Sequence, residues 1–327
     1  MSIGSSEDMQ DIATIAHGDK AAIAVGFVEN AETWSDLVAR APFPHLPQTF
    51  AYGEGKRAKG WTVRRAVFRE NGRIIAFATV LERRIAGIRI VTRINRGPIF
   101  LEANPAAEQI INVYSALRRR WRGPLLIAPA LAFGPESSAQ LRAASFRVRR
   151  DSGWLSGRVD LRSGEEALWA HVASNFRNHV RNSEKAGAEL RIGDDAETFE
   201  WMLARHVDNM HDKHFNAVDV TLLRAMRAAA PENLTVFQLV HDGRPVAGLS
   251  VARFADTAEA HIAWFGPEGR RLNAGNFLMW SAMREMQRRG AATFDVGGLL
   301  HTDDGFTRFK RTMRPVEFEL AGEWMSF

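Results

Sequence analysis

Arg177, Arg181 and Lys185 recur at every fourth position of the stretch Asn175–Lys185, a spacing that places three cations on one face of a helix. Only Glu184 stands near enough in sequence to offset their mutual repulsion. Such a face suits an external polyanion, for instance the phosphates of a tRNA or the diphosphate of coenzyme A; the alternative is a solvated helix face. His206, His211 and His214, with Asp208 and Asp212, form a second polar cluster. Its basic and aromatic neighbours read as a polar helix end, so no metal site is expected. The chain has no cysteine, which excludes disulfides, Cys-ligated zinc, iron–sulfur clusters and thiol catalysis. It also carries no Gly-x-Ser-x-Gly elbow, no Walker loop and no His-Glu-x-x-His motif.

These side chains need a scaffold, and 327 residues are comfortable for two domains. Apolar residues make up 46% and charged residues 25%, the mix of a soluble globular chain. The net charge of +5 and isoelectric point near 9.9 permit a local basic patch without demanding a nucleic-acid partner. No apolar stretch is long enough to span a bilayer, and the first residues lack the basic and apolar regions of an export signal. The expected location is the cytoplasm, with contact at a membrane surface left open, and residues 1–25 read as a loose polar tail.

Extended runs are predicted at Trp61–Glu70 and Arg73–Arg84 around an Asn71-Gly72 turn, then at Gly87–Asn95, which ends at Gly97-Pro98. A helix over Asn104–Trp121 and a buried strand at Pro124–Pro129 follow. The second half replays this order with Leu234–His241, an Asp242-Gly243 turn, Arg244–Phe254, Glu259–Phe265, Gly266-Pro267, a helix over Leu272–Arg289 and a strand at Thr293–Val296. Asn71 and Asp242 lie 171 residues apart, whereas Gly97/Gly266, Pro98/Pro267 and Pro124/Thr293 each lie 169 apart. Landmarks in step over so long a series indicate an internal duplication joined near Arg150–Gly157. The expected domains are 26–152 and 153–327. An antiparallel meander followed by a helix and a parallel strand matches the GCN5-related N-acetyltransferase (GNAT) fold. The expected class is therefore α+β, two tandem GNAT-like acyltransferase domains, each a mixed, mostly antiparallel sheet with flanking helices.

Four stretches carry a resemblance to a family. They are Gln48-Thr49-Phe50-Ala51-Tyr52-Gly53-Glu54-Gly55-Lys56 with Trp61; the basic run ending in Glu184-Lys185-Ala186-Gly187; Arg270-Arg271-Leu272-Asn273-Ala274-Gly275-Asn276; and Phe294-Asp295-Val296-Gly297-Gly298 followed by Gly305-Phe306-Thr307-Arg308-Phe309-Lys310. From about Trp34 to Phe318 the chain resembles the FemABX aminoacyl-tRNA-dependent peptidyltransferases and the related BioF2-like acetyltransferases. The third stretch departs from the Arg/Gln-x-x-Gly-x-Gly/Ala loop of acetyl-CoA enzymes, because only Gly275 is kept and Asn276 replaces the last small residue.

The resemblance implies a transferase that joins an activated acyl group to an amine. The expected reaction moves an aminoacyl group from aminoacyl-tRNA to a peptide or small-molecule amine; the alternative is an acyl-CoA-dependent N-acyltransferase. A degenerate double domain that only binds anionic glycans, lipids or RNA is a third reading, disfavoured by the retained Phe309-Lys310 pair. No tightly bound cofactor is expected, with aminoacyl-tRNA or acyl-CoA as co-substrate and tRNA as partner. By resemblance, Lys310 would stabilise the transferring ester. His301, Asp303 and Asp304 are candidate bases, Asp303 reading more as a turn residue, and Lys310, Asp304 and His301 form the expected catalytic set. Lys56, Tyr52, His211, Trp264 and Phe309 form the substrate-binding set, with Lys213 a neighbour of His211 that could take its place. Arg177, Arg181, Lys185 and Arg271 form the donor-binding set.

Overall fold

The structure is a computed structural model and describes residues 23–212 and 218–327. The expected tail therefore lies almost wholly outside the described residues; of it, Ile23 is buried and Ala24–Val25 begin a strand. Two compact units form. The first comprises the described residues up to Trp154 together with Glu319–Phe327, and the second comprises Leu155–Phe318. The expected boundary at 152/153 thus falls two residues later, and the last nine residues lie with the first unit instead of the second.

The first unit runs β1 (Ala24–Phe27), α1 (Ala31–Ala39), α2 (Phe50–Ala58), β2 (Thr62–Glu70), β3 (Arg73–Ile85), β4 (Ile88–Asn95), β5 (Ile99–Phe100), α3 (Ala107–Arg120), β6 (Leu125–Ala128), α4 (Pro135–Ala143) and β7 (Arg147–Arg150). The second runs β8 (Leu155–Asp160), α5 (Glu165–His171), α6 (Ser174–Lys185), β9 (Glu189–Gly193), α7 (Ala196–Asp212), α8 (Val220–Ala229), β10 (Leu234–His241), β11 (Arg244–Phe254), β12 (Thr257–Phe265), α9 (Pro267–Arg271), α10 (Ala274–Arg288), β13 (Thr293–Asp295), α11 (Gly305–Arg311) and β14 (Val316–Glu319). The chain ends with β15 (Glu323–Ser326), back in the first sheet.

Both units contain the predicted meander, helix and parallel strand: β2-β3-β4-α3-β6 and β10-β11-β12-α10-β13. Their hairpin turns match in backbone as well as in sequence. Asn71-Gly72 and Asp242-Gly243 all have positive φ (50°, 80°, 48° and 73°), which the twist of a two-residue hairpin requires and which Asn, Asp and Gly tolerate. The sheets also end alike. β15 lies antiparallel between β6 and β7 in the first unit, where β8 lies between β13 and β14 in the second. Sequence reading missed this position for β15 because Glu323–Ser326 is a short, generic strand whose partners lie almost two hundred residues upstream.

Apolar spacing explains the cores. Ile110, Val113, Tyr114 and Leu117 form the buried stripe of α3, which faces Phe68, Val80, Ile94 and Ile127 of the first sheet. α10 is buried on most of its circumference, including Phe277, Leu278, Met279 and Met283, against Phe237, Leu239 and Leu249. Gln48, the first residue of the quoted motif, has a structural task. Its fully buried amide donates to the Asn95 carbonyl and accepts from the Thr79 amide, both at 2.6 Å. It thereby bridges the gap where β3 exchanges β4 for β5 as its partner.

Trp324 of β15 is 1% exposed and belongs to the first unit's core. Trp324→Ala should lower stability by about 3–5 kcal/mol. Urea unfolding should show this loss in probes placed within the first unit.

Candidate active site

The two parallel strand pairs differ in where they hold together. In the first unit β4 and β6 pair over Thr92–Asn95, at the C-terminal end of β4. In the second, β12 and β13 pair only over Thr257–Glu259, at the start of β12, and then separate. Gly297 sits at the separation with φ +75°, and a Cβ there would come within 2.6 Å of the Ala260 carbonyl. Only glycine permits that backbone path. From Ala260 to Phe265 the β13 side of β12 has no paired strand among the described residues, so its backbone groups form a ready edge for an amide-bearing ligand.

A buried group of charges lies at this separation. Glu259 and Asp295 are register partners, 4% and 1% exposed. Asp295 accepts hydrogen bonds from the Ser156 hydroxyl and, at 2.9 Å, from the Gly297 amide, with the Arg158 guanidinium 3.8 Å away. Lys310, on α11, is 8% exposed. Its ammonium donates to the Gly298 carbonyl at 2.8 Å and lies 4.2 Å from the centre of the Phe306 ring. Burial, reinforced by the Glu259 charge, pushes the Asp295 carboxyl up to about 6. Burial pulls the Lys310 ammonium down to about 8, against the opposing pull of Asp295 and Glu259. An ammonium so placed can donate to an oxygen that gains negative charge.

The other expected catalytic residues have different roles. Asp304 is the N-cap of α11, accepting from the Thr307 amide at 2.7 Å, and that bond leads the contacts that hold its carboxyl below the usual range. A carboxylate committed to a cap is a poor proton acceptor. His301 and Asp303 are exposed, and Asp303 lies 3.8 Å from both Arg308 and Arg311.

Three of the expected donor residues lie on α6 and the fourth, Arg271, on α9. Arg177 turns back on the end of α5, donating to the carbonyls of Trp169 and Ala170 at 3.2 Å and to that of Val172. Arg181 stacks over the Trp169 ring at 5.4 Å, and Lys185 is exposed at the end of α6. Arg177 and Arg181 thus both lie against Trp169 of α5, which supplies each with a partner inside the unit. Arg271 is exposed and pairs with Glu268 at 3.5 Å. Its segment is the short helix α9, packed so closely on β11 that a Cβ at Gly269 would lie 2.7 Å from the Val246 carbonyl. Gly275 leaves room for the Phe309 ring, which a Cβ would approach to 3.1 Å, and Phe309 packs against the second core. Trp264 is held edge-on to Trp201 at 6.0 Å, with the Arg205 guanidinium 5.6 Å from its ring. His211 is exposed at the end of α7, and Lys213 and His214 lie outside the described residues.

Within the first unit, Lys56 and Tyr52 line a cavity of about 570 Å³ with Trp61, Arg93, Arg96, Arg150 and Trp154 among the other walls. Lys56 lies 5.2 Å from the centre of the Tyr52 ring, and the Arg96 guanidinium stacks on Trp154 at 3.7 Å. The Trp154 indole N–H is buried without a hydrogen-bond partner. Arg93 is neutralised by Glu323 at 2.9 Å. Sequence reading missed Arg93, Arg96, Arg150 and Trp154, which come from separate strands and loops and share no spacing. It also left Glu259 and Asp295 out of the site, although an aspartate between Phe294 and Val296 in an apolar strand was a visible signal.

Residues 170–311 match the family model described as an acetyltransferase (GNAT) domain. Fold and matched domain together give a tandem architecture of GNAT type, with the acetyltransferase (GNAT) match lying in the second unit. The chain is similar to FemX at 14% identity and a TM-score of 0.76, over 90% of this chain and 95% of that one. It is similar to a conserved protein of unknown function from Bacteroides thetaiotaomicron at 12% identity and 0.61, over 90% and 95%. A tandem GNAT protein from the clavulanic acid biosynthesis pathway aligns at 15% identity and 0.50, over 91% and 94%. No curated protein matches the sequence.

Because Arg177 holds the end of α5, Arg177→Ala should destabilise the second unit by about 1–3 kcal/mol. Its thermal transition should fall accordingly, while the salt dependence of any polyanion binding stays unchanged.

Proposed function

We propose that the protein is a cytoplasmic transferase that moves an aminoacyl group from aminoacyl-tRNA to an amine on a peptide or small-molecule acceptor. The observation that carries this reading is the buried Lys310 ammonium at the separation of β12 and β13. In the reaction the acceptor amine, once deprotonated, attacks the ester carbonyl. The new C–N bond forms as the C–O bond to the ribose breaks, and a proton passes from the amine to the departing oxygen. Lys310 donates to the carbonyl oxygen while it is negative. The edge of β12 holds the acyl chain by backbone hydrogen bonds. Lys56, Arg96 and the unsatisfied Trp154 N–H suit a phosphate-bearing acceptor in the first unit's cavity.

Transfer from acyl-CoA is the second reading. The open β12 edge and the acetyltransferase match favour it. The occupation of the segment after β12 by α9, in place of a glycine-rich phosphate loop, favours the tRNA donor. Single-turnover assays with charged tRNA and with acetyl-CoA separate the two.

Lys310→Ala should slow transfer by about 10²–10³ with the melting temperature near that of the parent, and Lys310→Arg should restore part of the rate. Rapid transfer by a folded Lys310→Ala variant would remove the residue from the site. The active ammonium is present below about pH 8 and is lost as the pH rises through that value, so the rate should decline on the alkaline side. The alkaline limb should move upward in Lys310→Arg.

Lys56→Ala should weaken binding of pyrophosphate about tenfold, read by calorimetry, without changing thermal stability.

A further inference from the structure

The β3–β4 hairpin extends past its neighbours in the first sheet. β2 pairs with β3 only as far as Glu82, and β6 pairs with β4 only from Thr92 onward. Residues 83–91 therefore form a two-stranded ribbon with no strand paired on either side among the described residues. Ala86 and Gly87, with φ of 47° and 78°, make its tight turn. Isolated ribbons of this kind are stabilised by polar and turn residues in water, yet this one ends in isoleucine. Ile85 and Ile88 face each other across the ladder and are 62% and 70% exposed, and Ile90, at the bulge where the register shifts opposite Arg83 and Arg84, is 43% exposed.

The surroundings of the tip are basic. No acidic residue occurs between Arg83 and Leu101, and Glu82 is buried against Arg84 and the Trp121 indole. The Arg89 guanidinium donates to the Arg122 carbonyl at 2.5 Å, which brings the end of α3 beside the ribbon. Arg119 and Arg122 are exposed at that end of α3, whereas Arg120 lies over the Phe27 ring of β1, and the stretch has no acidic residue from Gln109 to Pro135. An apolar point within a collar of arginines matches the two layers of a lipid interface, acyl chains below and phosphates above. The distance from Ile90 to Ile88 along the strand is about 7 Å, within the usual depth of interfacial burial.

We propose that this hairpin docks the protein on an anionic bilayer surface, with the isoleucines entering the acyl boundary and the arginines meeting phosphate headgroups. RNA fits the tip poorly, because no aromatic side chain is present there for a base to stack on. A second copy of the chain would bring arginine against arginine, and three isoleucines supply far less than the roughly 800 Å² per partner of a stable interface.

The test is co-sedimentation of the full chain with vesicles of equimolar phosphatidylglycerol and phosphatidylcholine. Binding should be strong at low salt, weaker at high salt and much weaker to phosphatidylcholine alone. The double variant Ile85→Ser, Ile88→Ser keeps every charge and should lose about tenfold in partitioning. Arg119→Ser and Arg122→Ser should each lose roughly fivefold. The chain has no cysteine, so Ala86→Cys can carry a single environment-sensitive dye, whose emission should shift to the blue on the anionic vesicles. An absence of vesicle binding, or equal binding by the isoleucine variant, would overturn the proposal. So would an equal loss of tRNA binding by that variant, or a wild-type dimer that the variant converts to monomer.

Discussion

The separation of β12 from β13 is the constraint on which the second unit's chemistry depends. Three paired residues bring Glu259 beside Asp295, and the chain must then leave the ladder through Gly297, the residue type that the nearby Ala260 carbonyl permits. Two carboxylates so deeply buried need a counter-charge and hydrogen bonds, and Lys310, Ser156 and the Gly297 amide provide them. The cap on α11 fixes the helix that delivers the lysine. A charge that would be costly in a finished sheet thus sits where the sheet comes apart.

The duplicated units spend the same topology differently. In the first, the parallel pair reaches Asn95 at the end of β4, where the second unit's pair has already separated. The side chains beyond it, from Asn95 and Arg96 to Trp154, line a polar cavity instead. The matched Gly-Pro pairs diverge in the same way. Pro98 leads into β5, which returns to β3, whereas Pro267 opens α9. Identical punctuation in the sequence serves two local structures because the neighbouring strands differ.

Much of the fold was legible because it depends on local signals. Asn-Gly and Asp-Gly turns, alternating strands and the stripes of α3 and α10 act over a few residues, and landmarks repeating at offsets of 169 and 171 exposed the duplication. Lys310 was legible as part of a motif, and the structure buries it at the separation of β12 and β13. The intramolecular contacts of Arg177 and Asp304 were not legible, since a charge at helical spacing looks the same whether it meets a ligand, a helix end or its own backbone. The arginines of the cavity were invisible for a different reason: tertiary structure alone brings β4 and the segment after β7 together.

β15 has a consequence for synthesis. It is made after every residue of the second unit, yet it lies between β6 and β7 of the first. During synthesis the first unit therefore still lacks an interior strand when the last residue of the second unit has been added. Until Glu323–Ser326 emerge, β6 and β7 present unpaired edges, and Trp324 has yet to enter its core. The nascent chain is open to misassembly longest in the unit made first.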